Sequence, residues 1–389
     1  VFGSQKRKNL SSVLSKAIDN RSWLFRYFLE RGASSFLKFF RFVEDSEPEK
    51  HLIFIISNHF EPGWLENGTC GIEQQLRRLE KWKKRAFSIG SSITDHDGTK
   101  FRHTYFFPAE QYERRLIEHL VELRLAGLGE VEIHLHHGVD KPDTVENLRR
   151  SLVNFRDTLA EEHKLLSRWE GIGQPMYAFV HGNLALANVT GGKFCGVDSE
   201  MRILHETGCY ADMTLPSAPD RSQVPVINKI YECALPLEQR APHREAIPLK
   251  VFGSRPTLPV IFQGPLILSW AYGNSPLPKI ENGCLSSGFR NDLQRLKHWM
   301  DANIIVKGRP EWIFIKLFCH GFFDSDIDFC IGEEAKRFFS EILEYCDKSG
   351  HKVHFATARE AVNIALAAVD GFSGNPNDFR DYKLKSISS

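Results

Sequence analysis

The sequence predicts an α/β fold: a parallel sheet covered by helices and closed, or nearly closed, into a barrel. Three observations carry that reading. Short apolar runs recur between residues 51 and 356 with amphipathic helical stretches between them, the alternation expected of parallel strands joined by crossover helices. Roughly seven such runs are present, which suits a closed ring better than an open sheet with two edges. Polar residues, histidines above all, gather where these runs end, the place where α/β barrels assemble their sites.

The strands are expected at 51–57 (HLIFIIS), 103–107 (HTYFF), 131–135 (VEIHL), 176–180 (MYAFV), 259–263 (PVIFQ), 312–318 (WIFIKLF) and 352–356 (KVHFA). Helical periodicity places helices at 71–87, 110–126, 144–168, 198–207, 288–302, 333–348 and 357–369. The stretch 211–284 breaks this rhythm with eleven prolines and little helical period. A connection of that length is usually functional or carries strands of its own, and it reads as an elaborated insertion over one mouth of the barrel. The barrel is thus expected over 51–370, after an N-terminal extension (1–50) and before a surface tail (371–389) containing Gly374, Asn375 and Pro376.

Composition is that of a globular protein, 42% hydrophobic and 25% charged over 389 residues. The net charge of +1 gives no sign of nucleic-acid binding. Residues 1–43 are different, holding nine Lys/Arg against Asp19 and Glu30, interleaved with aromatic residues. Such a segment either packs as a terminal helix on the main domain or lies on an anionic membrane surface. The eight cysteines form no Cys-x-x-Cys pair. Reduced, buried thiols are expected, and with them a cytoplasmic setting, membrane-associated if residues 1–43 make a peripheral contact. The chain opens at Val1 rather than Met, as a fragment or processed chain would.

The strand ends supply the candidate chemistry. Asn58-His59-Phe60-Glu61-Pro62 follows the first strand, and Asp95-His96-Asp97-Gly98 precedes the second, which His103 opens. The third ends in His134-Leu135-His136-His137, the fourth in His181-Gly182-Asn183, and a late one in His320-Gly321. Side chains alternate along a strand, so His134 and His136 point to one side and His137 to the other. Two inward imidazoles with a carboxylate suit Zn²⁺ or a similar divalent ion, and a metal-bound water could attack a carbonyl. The metal candidates are His59, His103, His134, His136 and His137. Trp64, Tyr105, Tyr210 and Trp270 are candidates for stacking on sugar rings. No Gly-x-Ser-x-Gly, Walker loop or Gly-x-Gly-x-x-Gly occurs, which argues against a serine-hydrolase elbow and a nucleotide cofactor.

Residues 130–137 (EVEIHLHH) are similar to the Glu-Ile-Gly-x-His-x-His pattern of polysaccharide deacetylase-like proteins, the NodB-homology or carbohydrate esterase family 4 superfamily. Thr104-Tyr-Phe-Phe-Pro108, Asp212 within GCYADMTLPSAP, His320 within KLFCHG and the closing FATARE (355–360) resemble further family segments in the family's order. The resemblance implies a distorted (β/α)7 barrel of the glycoside hydrolase/deacetylase type. It further implies a metal-dependent deacetylase acting on a carbohydrate or polysaccharide precursor, through amide or ester bonds. Carried over by position, His134 and His136 become ligands and His320 the general acid, with Glu61, Asp97 and Asp212 as candidate bases. His59 and Glu61 stand where the family has paired aspartates, and the second motif is His-x-His-His rather than His-x-x-x-His. His181-Gly-Asn183 replaces an Arg-containing motif, which assigns His181 and Asn183, with Tyr105, to substrate. Two other readings stay open: a glycoside hydrolase using Glu61 and Asp212, and a catalytically silent barrel that binds a glycan or a partner in surface-polysaccharide biosynthesis.

Overall fold

The computed structural model describes residues 23–29, 49–269 and 278–387. Its centre is a large, mostly parallel sheet. Parallel strands are β1 (His51–His59), β2 (His103–Pro108), β3 (Gly129–Leu135), β4 (Ile172–His181), β5 (Cys209–Asp212), β6 (Val260–Gln263), β7 (Trp312–Cys319) and β8 (Lys352–Ala356). β1 is central: β7 runs along one side of it, while β8 takes the first half of the other side and β2 the last three residues. From β2 the order continues through β3, β4, β5 and β6 in parallel. Lys229–Cys233 and Ala246–Pro248 extend the β6 edge as antiparallel strands. No ladder joins β6 to β7 among the described residues, so these pairings trace an open path and do not by themselves close a ring.

The strands are apolar nearly throughout because both faces are covered. On one face, Leu52, Phe54 and Ile56 of β1 pack in a cluster with Leu79, Trp82, Phe338 and Phe339. Those residues come from α1 (Ile72–Ser92) and α6 (Glu333–Ser349). Helices α2 (Arg114–Leu125), α3 (Val145–Asp157), α4 (Glu200–Glu206) and α5 (Leu293–Ala302) bury apolar faces in the same cluster. Ile53, Ile55, Phe106, Ala178 and Val180 face the other way, against α7 (Ala358–Val369). Every residue of α7 is buried, and Thr357 with Glu360 closes its first turn in a capping box. Polar residues occupy this second face toward the carboxyl ends of the strands: Ser57 and His59 on β1, Glu132 and His134 on β3, Lys316 on β7.

Three departures from the sequence reading bear on the site. The helix expected over 144–168 stops at Asp157 and loosens into a π turn at Thr158–Glu162. Lys164 and Leu166, at φ 55° and 68°, then redirect the chain into the strand Ser167–Trp169. The tail is not a surface extension: Leu384–Ser386 pairs with that strand, and Arg380 bonds Asp95, Glu360 and the Phe355 carbonyl. The insertion begins after β5, a strand the sequence reading lacked, and it returns its chain to the sheet as β6.

Most of residues 1–43 and Trp270 lie outside the described residues. Within the described part, residues 23–29 are helical, and Trp23 and Tyr27 pack on Ala218, Ile227 and Leu266–Leu268 while Phe25 and Phe28 are exposed. No described helix is long and apolar enough to cross a membrane. All eight cysteines are free.

Candidate metal centre

His59 ends β1, and the chain turns at once so that Glu61 folds back under it, with Phe60 N–H donating to the Phe106 carbonyl. His134, two residues after Glu132 on the same face of β3, comes to meet this turn. Its Nδ1 lies 2.8 Å from the Val180 carbonyl and its Nε2 3.3 Å from Glu61 Oε1. His136, just past the strand, presents Nε2 to the same Oε1 at 3.2 Å, while its Nδ1 lies 2.6 Å from Glu110 Oε1. The His59 ring is 5.1 Å from that of His134 and 4.6 Å from that of His320, which follows β7. Trp64, 39% exposed, stands 5.8 Å from the His136 ring. The structure therefore brings together His59, Glu61, His134, His136 and His320 at the carboxyl end of the sheet.

The tautomers follow from the partners. A carbonyl can only accept, so His134 donates from Nδ1; His136 has a carboxylate oxygen at each nitrogen, and its shorter contact is from Nδ1 to Glu110. In the neutral ring His134 Nε2 is then a lone pair pointing at Glu61 Oε1, and a neutral His136 that donates to Glu110 turns a second lone pair on the same oxygen. Such acceptor-to-acceptor contacts need a proton or a cation between them. Burial, reinforced by the charges of His320, His134, His136 and Lys316, holds the His59 imidazole well below its ordinary pKa. Burial alone would raise Glu61, but the hydrogen bond and charge of His134, with His320 and His136, hold the carboxyl below its usual value. Burial pulls His136 down and Glu110 outweighs it, so that ring is raised. For His320 burial wins over the pull of Glu61, and its pKa is lowered. His59, Glu61 and His134 present ligand atoms within 4.8 Å of one another, a group that could hold a metal ion.

The other residues singled out in the sequence go elsewhere, for reasons of strand parity. His103 shares the face of β2 with Tyr105 and Phe107, toward the helices. It lies buried against Trp82, Phe101 and Tyr105, with Asn58 Nδ2 3.4 Å from its Nδ1. That is a core position and not a ligand position. Tyr105 is buried beside it, its hydroxyl donating to the Leu128 carbonyl at 2.9 Å, so it is not on the rim. Tyr210 is likewise buried, with its hydroxyl on Glu132. His181 shares the helix-side face of β4 with Tyr177 and Phe179, and it is fully buried, which removes it from substrate contact. Asn183 is exposed in the turn after β4, at φ 56°.

His137, on the opposite side of its strand from His136, turns away from the first group. Its Nε2 lies 3.1 Å from Glu200 Oε1, in a second group formed with His181 and Cys195. Cys195, Glu200 and Glu110 had no mark in the sequence reading.

Two candidate bases are also displaced. Asp97 sits at the amino end of the sheet, 2.6 Å from His354 Nδ1, and His354 in turn meets His51 at 2.9 Å. His51 and His59 open and close β1, a separation of about 26 Å at ~3.3 Å per residue. Asp95, with Asp97 and His354, forms a third group of possible ligands there, and its carboxylate accepts from the Phe355 amide and Arg380. Asp212 is fully buried and held by the Thr214 amide at 3.1 Å and hydroxyl at 2.7 Å. Burial raises its pKa and lowers that of nearby Lys316. No described contact joins Asp212 to Glu61. Neither a scan of protein-family models nor a search of curated proteins finds a match to this chain.

Proposed function

We propose that the chain is a metal-dependent hydrolase that removes acyl groups, most simply acetyl, from a carbohydrate or carbohydrate-linked precursor. The observation that carries this reading is the convergence of His134 Nε2 and His136 Nε2 on Glu61 Oε1, with the Val180 carbonyl behind one ring and Glu110 behind the other. His134, His136 and Glu61 give two imidazoles and a carboxylate, a donor set for zinc that leaves a fourth position open. The two rings are oriented from behind by the Val180 carbonyl and Glu110. When bound, such an ion would supply Lewis-acid polarisation of the acyl carbonyl and acidification of a water. The parallel order from β7 through β1 to β6 fits a distorted (β/α)7 barrel of the deacetylase type, and we take the fold in that sense.

The chain's own groups complete the reaction. Glu61 and the histidines fix where the acyl oxygen sits. His320, against His59 at the rim, takes up the proton of the attacking water and returns it to the departing amine or alkoxide as the acyl C–N or C–O bond breaks. Trp64 offers an exposed ring face beside His136 on which a sugar can stack.

Metal analysis of the purified protein tests this, alongside acetate release from N- and O-acetylated oligosaccharides. Wild type is expected to release acetate in a chelator-sensitive manner, and His134→Ala and His136→Ala each to lose one metal equivalent with the activity. Full metal content in both variants would remove the proposed centre. Metal-loaded wild type that binds oligosaccharide but releases no acetate would establish the silent, glycan-binding reading instead.

A further inference from the structure

We propose that His137, His181, Cys195 and Glu200 form a second, closed metal site for a zinc-type divalent cation, which locks the loops behind the first centre. The four residues come from three stretches of chain: the loop after β3, the end of β4, and the segment 195–200 that leads from a loop into α4. Each presents one ligand atom, and these atoms all lie within 4.8 Å of one another. Glu200 Oε1 is 3.1 Å from His137 Nε2, and its Oε2 is 3.5 Å from His181 Nε2 and 3.4 Å from Cys195 Sγ. Zinc bond lengths in a tetrahedron place neighbouring nitrogen and oxygen ligands about 3.4 Å apart, and sulfur and oxygen about 3.6 Å apart. The contacts of Glu200 Oε2, 3.5 Å to nitrogen and 3.4 Å to sulfur, lie near that spacing.

Burial makes these contacts costly without a cation. His181, Cys195 and Glu200 are fully buried and His137 is 7% exposed. His137 faces a carboxylate with each nitrogen, Asp143 Oδ2 at 3.0 Å from Nδ1 and Glu200 Oε1 at 3.1 Å from Nε2, and His181 donates from Nδ1 to the Gly182 carbonyl. The neutral His181 ring therefore turns an Nε2 lone pair on Glu200, and a neutral His137 can donate to only one of its two carboxylates. A second proton on His137 would satisfy both of those carboxylates. It would leave His181 Nε2, which has no hydrogen-bond partner among the described residues, facing a carboxylate oxygen. His243, fully buried with both ring nitrogens likewise unpartnered among the described residues, lies within electrostatic reach of Glu200 and His181. A cation shared by His137, His181, Cys195 and Glu200 satisfies the His181 lone pair and the buried carboxylate together.

Four protein ligands leave no open position, which is the form of a structural and not a catalytic site. Asp143 and the Gly182 carbonyl orient the two imidazoles from behind, as ligand-supporting groups do. The loops are also interlocked: a β-carbon on Gly138, at φ 64°, would come within 2.6 Å of the Cys195 amide nitrogen. His136 and His137 are neighbours in sequence, so a cation held by His137 would fix the segment that carries the first centre's ligands.

Cobalt substitution tests the site, because Cys195 is the one cysteine within ligand range of such a group among the described residues. Co²⁺-loaded wild type is expected to show a near-ultraviolet thiolate-to-cobalt charge-transfer band. The band should persist in the His134→Ala/His136→Ala double variant and vanish in Cys195→Ser. Cobalt bound without the band, or a band that survives Cys195→Ser, would overturn the proposal. If Cys195→Ser does not fold, zinc-edge X-ray absorption of the double variant decides: one sulfur at about 2.3 Å supports the site, and a shell of nitrogen and oxygen alone refutes it. Acetate release plays no part in these readouts, so failure here and failure of the hydrolase reading are separable.

Discussion

Glu110 Oε1 lies 2.6 Å from His136 Nδ1, and this contact decides which nitrogen of that ring faces Glu61. The same carboxylate accepts the His136 amide at 3.3 Å through Oε2, so it sets both ring and backbone. Glu110→Ala frees the ring to flip or change tautomer. Metal affinity at the first centre, or the rate it supports, is expected to fall about 10- to 100-fold, the usual cost of removing a ligand's supporting group. Glu110 is exposed, so the melting temperature should change little. Metal titration of the variant checks this; wild-type affinity would show that Glu110 does not hold the ring.

Gly182 supports the same ring from below. A β-carbon there would come 2.4 Å from His136 Cδ2 and 2.7 Å from the Leu135 carbonyl. Neither approach is tolerable, and backbone cannot give way as easily as a ring. Gly182→Ala should therefore displace His136, lowering metal affinity and acetate release while the chain still folds. Gly71→Ala is the control, since a β-carbon there meets nothing within 4 Å. Equal activity in the two variants would refute the packing argument.

The main elements were legible because strands covered on both faces leave continuous apolar runs, as in HLIFIIS and WIFIKLF. β5 was not, being four residues long and directly after the Thr207-Gly208 turn. Lys229–Cys233 was hidden for another reason: beyond β6, it is held in the sheet by backbone pairing on both sides while Lys229, Glu232 and Cys233 remain half-buried. The count of seven apolar runs suggests a closed ring, but closure depends on twist and register summed over many strands, which a strand count does not carry. The described pairings trace an open path.

The candidate site was legible where strand parity was applied and misread where it was not. Counting by twos separates His137 from His134 and His136. The same count puts His103 with Tyr105 and Phe107, and His181 with Tyr177 and Phe179, on the helix side. Glu110, Cys195 and Glu200 lie in loops or at a helix start, where no period exists to signal which way a side chain turns. His103→Leu makes the parity argument testable: metal content should equal wild type, in contrast to His134→Ala. A lost equivalent in His103→Leu would return that residue to the ligand set.

The last prediction concerns acid stability. Glu281 and Arg295 are both fully buried and paired through two bonds, Nε to Oε2 at 2.8 Å and Nη2 to Oε1 at 2.9 Å. The Gly283 amide and Trp299 Nε1 also donate to Oε1. Burial alone would raise the carboxyl, but the charge and hydrogen bonds of Arg295 outweigh it and hold the folded-state pKa below its ordinary value. A folded pKa below the unfolded one means stabilisation that is complete above the unfolded value and lost as pH falls through the folded value. Glu281→Gln strands the Arg295 charge in the interior, which should cost about 3–5 kcal/mol at neutral pH. The gap between wild type and variant should then narrow as the pH falls below the ordinary carboxylate range, since protonated Glu281 no longer compensates Arg295 either. Urea denaturation of both proteins across that range measures it. A gap that stays constant into acid would mean the pair contributes by shape and not by charge.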